Sequence, residues 1–295
     1  MGLIGMAPAP AASPPWVVAT LRQAAPFAVM TVAGAATAGL IAGSVTVAGV
    51  SRGYVMDAAG RVTIFDAPGP MPRTARGVTA GSGTRVHGMN EAGQIVGAYS
   101  DGTGDHGFLR GVSGLFTWVD HPQAGPGGTL LMGSTASGQA VGIYKDAAGG
   151  KHGFLRAADG AFTPVQPPEV DNSGPAGINA AGEIVGTYKN LAGRRVGFLR
   201  DPSGAFVTIV PPGAAPGTDV LVTAINDAGL AVVNHVGVDG RRHASLRDRA
   251  GRLTPVPLPA GWEFAILYAI DNAGQVYGLN IADMACFIAR PGPVD

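Results

Sequence analysis

The chain reads as an all-β protein: a six-bladed β-propeller of four-stranded blades, closed by an N-terminal strand that completes the last blade. Three observations carry this. A glycine-punctuated motif returns six times at a spacing near 45 residues, and each copy holds about four short β segments. The last copy stops after its third strand, while a spare strand precedes the first copy. Propeller blades repeat on that scale.

The motif is clearest at Ile178-Asn-Ala-Ala-Gly-Glu-Ile-Val-Gly-Thr-Tyr188, followed by Gly197-Phe-Leu-Arg200 and Gly204-Ala-Phe206. Met89–Tyr99 and Ser134–Tyr144 begin two further copies with the same sequels. A looser copy starts at Ile225-Asn-Asp-Ala-Gly229, a truncated one at Ile270-Asp-Asn-Ala-Gly274, and a sixth at Ala35-Ala-Thr-Ala-Gly39. The turn glycines Gly39, Gly93, Gly138, Gly182, Gly229 and Gly274 stand 54, 45, 44, 47 and 45 residues apart. Glycine at a hairpin tip supplies the positive φ that tight turns require.

In the fourth copy the expected strands are roughly 176–179, 183–189, 194–200 and 205–210. Glu183-Ile-Val-Gly-Thr-Tyr188 is apolar on both sides, as in a sheet sandwiched between neighbours. Trp16-Val-Val-Ala-Thr-Leu21 has the character of a fourth strand and is expected to pair with the last blade, removing an open edge. Residues 1–15 are then a flexible segment and 16–295 one domain. The blades fall near 27–68, 85–121, 129–168, 174–212, 219–259 and 263–290, with 16–21 as the closing strand.

Composition agrees. Among 295 residues there are 47 glycines and 23 prolines, many turns for one chain. Hydrophobic residues at 46% exclude global disorder. Lys+Arg equal Asp+Glu, so no basic field exists to displace counterions from a nucleic-acid backbone, and no nucleic-acid partner is expected. One cysteine, Cys286, excludes an intrachain disulfide. The uncharged run from Phe27 to Val50 is long enough to span a bilayer, but its glycines align with the repeat and it reads as strands; no membrane span is expected. Met1 to Pro15 carries no basic residue and no long apolar core, so no secretion leader is read there and a cytoplasmic location is favoured. A monomer is expected.

The pattern Ile-Asn-x-x-Gly-x-Ile-Val-Gly-x-Tyr, with His-Gly-Phe-Leu and Gly-x-Phe after it, resembles the bacterial "HAF" repeat family, often labelled extracellular. The likeness runs from about Phe27 onward and is strongest in copies two to four. It implies architecture and no particular reaction, so no catalytic residues carry over. The chain departs from the family's label in lacking a clear secretion signal. Its first, fifth and sixth copies are degenerate, as expected of blades adapted for a ligand.

No Gly-x-Ser-x-Gly elbow, His-Glu-x-x-His pair or Cys-x-x-Cys pair is present. Gly149-Gly-Lys-His152 lacks the features of a phosphate loop. Asp101-Gly-Thr-Gly-Asp105 lacks the oxygen pattern of a calcium loop and reads as a turn. No metal and no cofactor are therefore expected. His106, His152 and His243 share one repeat position and read as blade parts.

The sharper signal is the innermost strand. One equivalent position holds Ala33, His87, Met132, Ala176, Thr223 and Tyr268; two residues earlier stand Thr31, Arg85, Leu130, Gly174, Leu221 and Ile266. Strand alternation puts both rows on one side. If that side faces the axis, the channel is mostly apolar with a few polar groups, the usual form of a small-molecule site. The extra residues between copies one and two fall within Pro68 to Thr84, a loop carrying Arg73 and Arg76 that could overhang the mouth beside Trp262 and Glu263.

The function expected is binding of a largely apolar small molecule at the channel, extending to a cofactor-independent cyclase, isomerase or lyase. His87 and Glu263 would then transfer protons, with Tyr268 and Arg85 orienting substrate. Met132, Thr223, Leu130, Leu221, Ile266, Trp262, Arg73 and Arg76 would line the site. The alternative is a non-catalytic scaffold that binds protein or glycan on its rim and exposes an aromatic patch there.

Overall fold

The computed structural model describes residues 16–20, 30–68, 83–102, 104–167, 172–258, 262 and 265–291. Among them every regular element is a strand. The first strand, β1 (Trp16–Thr20), is separate from the sheet that follows it in sequence. The first sheet holds β2 (Met30–Ala36), β3 (Leu40–Val47), β4 (Val50–Met56) and β5 (Val62–Phe65). The second holds β6 (Gly83–Met89), β7 (Ile95–Ser100), β8 (Asp105–Arg110) and β9 (Phe116–Val119). The third comprises β10 (Thr129–Ser134), β11 (Ala140–Lys145), β12 (Lys151–Arg156) and β13 (Phe162–Pro164). In the fourth stand β14 (Ser173–Ile178), β15 (Ile184–Lys189), β16 (Arg195–Arg200) and β17 (Phe206–Ile209). The fifth contains β18 (Val220–Ile225), β19 (Ala231–Val236), β20 (Arg242–Arg247) and β21 (Leu253–Val256), and the last contains β22 (Ala265–Ile270), β23 (Val276–Asn280) and β24 (Ala285–Pro291).

Each sheet is an antiparallel meander, and β1 supplies the fourth strand of the last one. It pairs antiparallel with β24, from Trp16 opposite Pro291 to Thr20 opposite Phe287. The first two sheets touch through one parallel pairing, Ser51 with Gly83, where the Ser51 hydroxyl donates to the Thr84 carbonyl at 2.9 Å. The described part of the uncharged run forms β2 and β3. No helix among the described residues is long and apolar enough to cross a membrane.

The core lies between sheets rather than in one central mass. Val32, Ala35 and Ile41 of the first sheet pack against Tyr277, Leu279 and Ile288 of the last. Val232, Ala244 and Leu246 pack against Leu267, Val276 and Phe287, and similar clusters fill the remaining junctions. The first strands meet in a cycle: β2 touches β6, β6 touches β10, and so on until β22 returns to β2. Strands buried on both faces are the consequence, as in Ile184-Val-Gly186.

The repeat motif has a mechanical reading. The turn glycines take φ of 78–90°, a conformation that Cβ penalises. The preceding Asn closes its own turn: Asn179 Oδ1 accepts from the Glu183 and Ala181 amides at 3.0 and 3.1 Å. Its Nδ2 reaches the next sheet, donating to the Asn226 carbonyl at 3.1 Å, as Asn226 Nδ2 does to the Asp271 carbonyl at 2.9 Å. The repeat-position histidines cap hairpin ends, His106 on Asp120 at 2.9 Å, His152 on Asp146 at 2.7 Å and His243 on Asp239 at 2.9 Å.

Candidate functional site: the axial cavity

Six bulges build the site. In every first strand the pairing slips at one residue: between Val32 and Gly34, Val86 and Gly88, Leu131 and Gly133, Pro175 and Gly177, Val222 and Ala224, and Leu267 and Ala269. The extra residues are Ala33, His87, Met132, Ala176, Thr223 and Tyr268. A bulge re-aims the side chain it carries. All six residues line one cavity of about 110 Å³.

The row two residues earlier does not share that cavity, which corrects the alternation argument: each bulge interrupts the alternation on which it rested. Arg85 turns to its own sheet and pairs with Asp105 at 2.6 Å. Leu130 and Leu221 are half-buried opposite Ile143 and Asn234, and Ile266 is buried opposite Leu279. Trp262 packs edge-on against Phe287 at 4.7 Å and lines a separate cleft beside the fifth sheet. Arg73, Arg76 and Glu263 lie outside the described residues.

Two of the polar axial groups are committed to holding sheets together. His87 Nδ1 lies 2.9 Å from the Leu131 carbonyl. A carbonyl only accepts, so Nδ1 carries the proton and Nε2 holds the ring's free lone pair. Burial is the main cause that lowers the His87 pKa, to about 4, so the imidazole is neutral at pH 7. The Thr223 hydroxyl donates to the Leu267 carbonyl at 2.8 Å. Asn234 completes that seam: its Oδ1 accepts from the Leu267 amide at 2.9 Å and its Nδ2 donates to the Leu267 carbonyl at 3.1 Å.

Tyr268 differs, being 36% exposed and the one aromatic among the exposed large apolar side chains of the described residues. Burial raises its phenol pKa while the Arg242 charge opposes the rise, so it is a proton donor at neutral pH.

One end of the cavity is polar, a feature the sequence reading lacked. Glu91 accepts from the Thr37 amide at 2.9 Å and the Asn272 amide at 2.6 Å. Asp227 accepts from the Ala180 amide and from Asn272 Nδ2, both at 2.7 Å, and Asn272 Oδ1 accepts from the Asp227 amide at 2.9 Å. These side chains tie the turns of five sheets together. Beneath them burial raises the pKa of Asp271, against the lowering effect of the Gln275 amide and the Tyr277 hydroxyl. No group of three or more His, Cys, Asp or Glu among the described residues is arranged to hold a metal ion.

No family model matches the chain, and no curated protein sequence matches it either. Solved structures do. A streptogramin B lyase is 12% identical, with 93% of this chain covering 97% of that one at a TM-score of 0.51. A TolB protein from Agrobacterium tumefaciens is 12% identical over 91% of this chain and 92% of its own, with a TM-score of 0.55. A gluconolactonase from Xanthomonas campestris is 11% identical over 93% and 100%, with a TM-score of 0.51. The fold is a β-propeller. Its neighbours are as unlike one another as a streptogramin B lyase, a gluconolactonase and TolB, so the likeness speaks for fold alone.

Proposed function

We propose that the chain is a six-bladed propeller of the HAF-repeat type, closed by β1, that binds a compact, largely apolar small molecule in the axial cavity. The observation that carries this reading is the convergence of six bulged residues on one cavity. Ala33, Met132 and Ala176 supply its apolar wall. The Tyr268 hydroxyl and the His87 Nε2 lone pair supply a donor and an acceptor for one polar group of the ligand. A cavity of about 110 Å³ lies well below the roughly 300–1,000 Å³ of drug-sized pockets, which favours a small ring over a macrocycle.

Binding is favoured over the acid/base chemistry expected from the sequence. A base with its pKa near 4 is poorly matched to proton abstraction at neutral pH, and Arg85 is spent on Asp105. Rim binding has weaker support. Apart from Tyr268, the exposed large apolar groups of the described residues are aliphatic.

Saturation-transfer NMR with cyclopentanone and with phenol tests the proposal. Transfer to the wild type is expected, weakened by Tyr268→Phe and abolished by Met132→Phe, which fills the cavity. No transfer, or transfer indifferent to Met132→Phe, overturns it.

A further inference from the structure

Five sheets share an internal device that the fifth lacks. Gly43, Gly97, Gly142, Gly186 and Gly278 stand directly opposite Tyr54, Phe108, Phe154, Phe198 and Phe287 on the neighbouring strand. A Cβ on any of these glycines would come within 2.5–2.9 Å of the ring, so the pair is one interlocked unit, with the ring at most 1% exposed. In the fifth sheet the same paired positions hold Val233 and Ser245. The strand residue two places after Val233 is His235, where copies two to four carry Tyr99, Tyr144 and Tyr188. Beside this altered sheet lies a cleft of about 560 Å³, inside the range of organic ligand sites.

The cleft has two kinds of lining residue. Pro212, Pro255, Pro257, Leu258 and Trp262 are its apolar part. The Pro212–Gly213 segment is anchored, because the Val238 amide donates to the Gly213 carbonyl at 3.1 Å and Ala214 bridges Gly237. Its polar part is His235, Ser245, Arg241 and Arg242. Asp239, also in the wall, is held by His243 at 2.9 Å. Among the described residues neither arginine has an acidic partner at ion-pair distance. His235 is 8% exposed, and its Nδ1 is buried with no hydrogen-bond partner. Burial leaves such an atom costly unless something completes it.

We propose that this cleft is a second binding site, distinct from the axial cavity, for an amphipathic organic anion: an aromatic body against Trp262 and the prolines, with a carboxylate on Arg241 and Arg242. Guanidinium groups bind carboxylates through paired, charge-assisted bonds. Ser245, at the position of the other sheets' ring, lines the cleft.

2-Naphthoate is the probe, with 2-naphthalenemethanol as its uncharged counterpart, measured by calorimetry. Naphthoate is expected to bind the wild type and the alcohol at least about tenfold more weakly, the scale of one charge-assisted contact. Arg241→Gln/Arg242→Gln should weaken naphthoate by a similar factor. Val233→Gly/Ser245→Phe, which restores the pairing of the other sheets, should abolish binding while an unchanged circular-dichroism spectrum reports the fold. Met132→Phe, which blocks the axial cavity, should leave naphthoate affinity unchanged. No binding to the wild type, equal binding to the folded arginine variant, or loss in Met132→Phe overturns the proposal; the last outcome would place the ligand on the axis instead.

Discussion

His87 illustrates how one residue couples seam and solvent. Its Nδ1–H bond to the Leu131 carbonyl joins the second sheet to the third, while its ring stays neutral down to about pH 4. In the unfolded chain the same imidazole titrates near 6.5. The unfolded state therefore binds more protons between these values, and stability falls as pH drops from about 6.5 to 4. The share due to His87 is at most about 3 kcal/mol. Urea midpoints followed against pH should show this acid loss in the wild type and a flatter profile in His87→Gln. An identical slope in both proteins would show that other groups carry it. Asn234 makes the companion case at the seam between the fifth sheet and the last. It is 3% exposed and satisfies both the amide and the carbonyl of Leu267. Asn234→Ala should cost about 2–3 kcal/mol, since it strands a buried amide, whereas an exposed control such as Leu191→Ala should change little. Equal urea midpoints for the two variants would remove Asn234 from the seam.

At the scale of the element, β1 carries the chain's beginning onto its end. Val17 pairs with Arg290 and both are exposed, so Val17→Cys/Arg290→Cys places two thiols across the junction without disturbing the core. If the closure proposed here exists in solution, air oxidation should give an intramolecular disulfide and raise the urea midpoint, by up to about 5 kcal/mol of stability for so long a loop. Thiols that stay free after oxidation would argue against the pairing. The elements also show what a sequence reveals. Turn glycines and four short strands per copy are legible because positive φ and two-sided burial leave marks in composition. The bulges are not: an extra residue that merely changes aim has no compositional signature, and so Arg85, Leu130, Leu221 and Ile266 were expected in a cavity they do not reach. The Glu91–Asn272–Asp227 network was equally hidden, because it uses a turn position the repeat leaves variable. The cleft had a readable trace, glycine and phenylalanine lost together at Val233 and Ser245, but its meaning depends on knowing that the two residues face each other.

For the whole molecule, the cyclic contacts make a statement about cooperativity. In an open repeat array each unit leans on its neighbours and the ends can fray first. Here the clusters that join the first sheet to the last are as buried as those within the series: Tyr277 is 2% exposed, Val32 is 4% and Phe108 is 0%. In the closed ring proposed above, no sheet presents a free face at which unfolding could begin, and loss of one seam should release the rest. Tryptophan placement allows this to be measured without labels. Trp118 lies in the second sheet beside Phe108 and Tyr99, while Trp16 and Trp262 belong to the last, Trp262 against Phe287. Trp118→Phe thus leaves fluorescence that reports on the junction between first and last strands, and Trp16→Phe/Trp262→Phe leaves a probe in the second sheet. Within each variant, urea curves from fluorescence and from circular dichroism should coincide in one transition. An earlier fluorescence transition confined to Trp118→Phe would show the junction opening before the remainder, and the molecule would then behave as an arc of sheets rather than a ring.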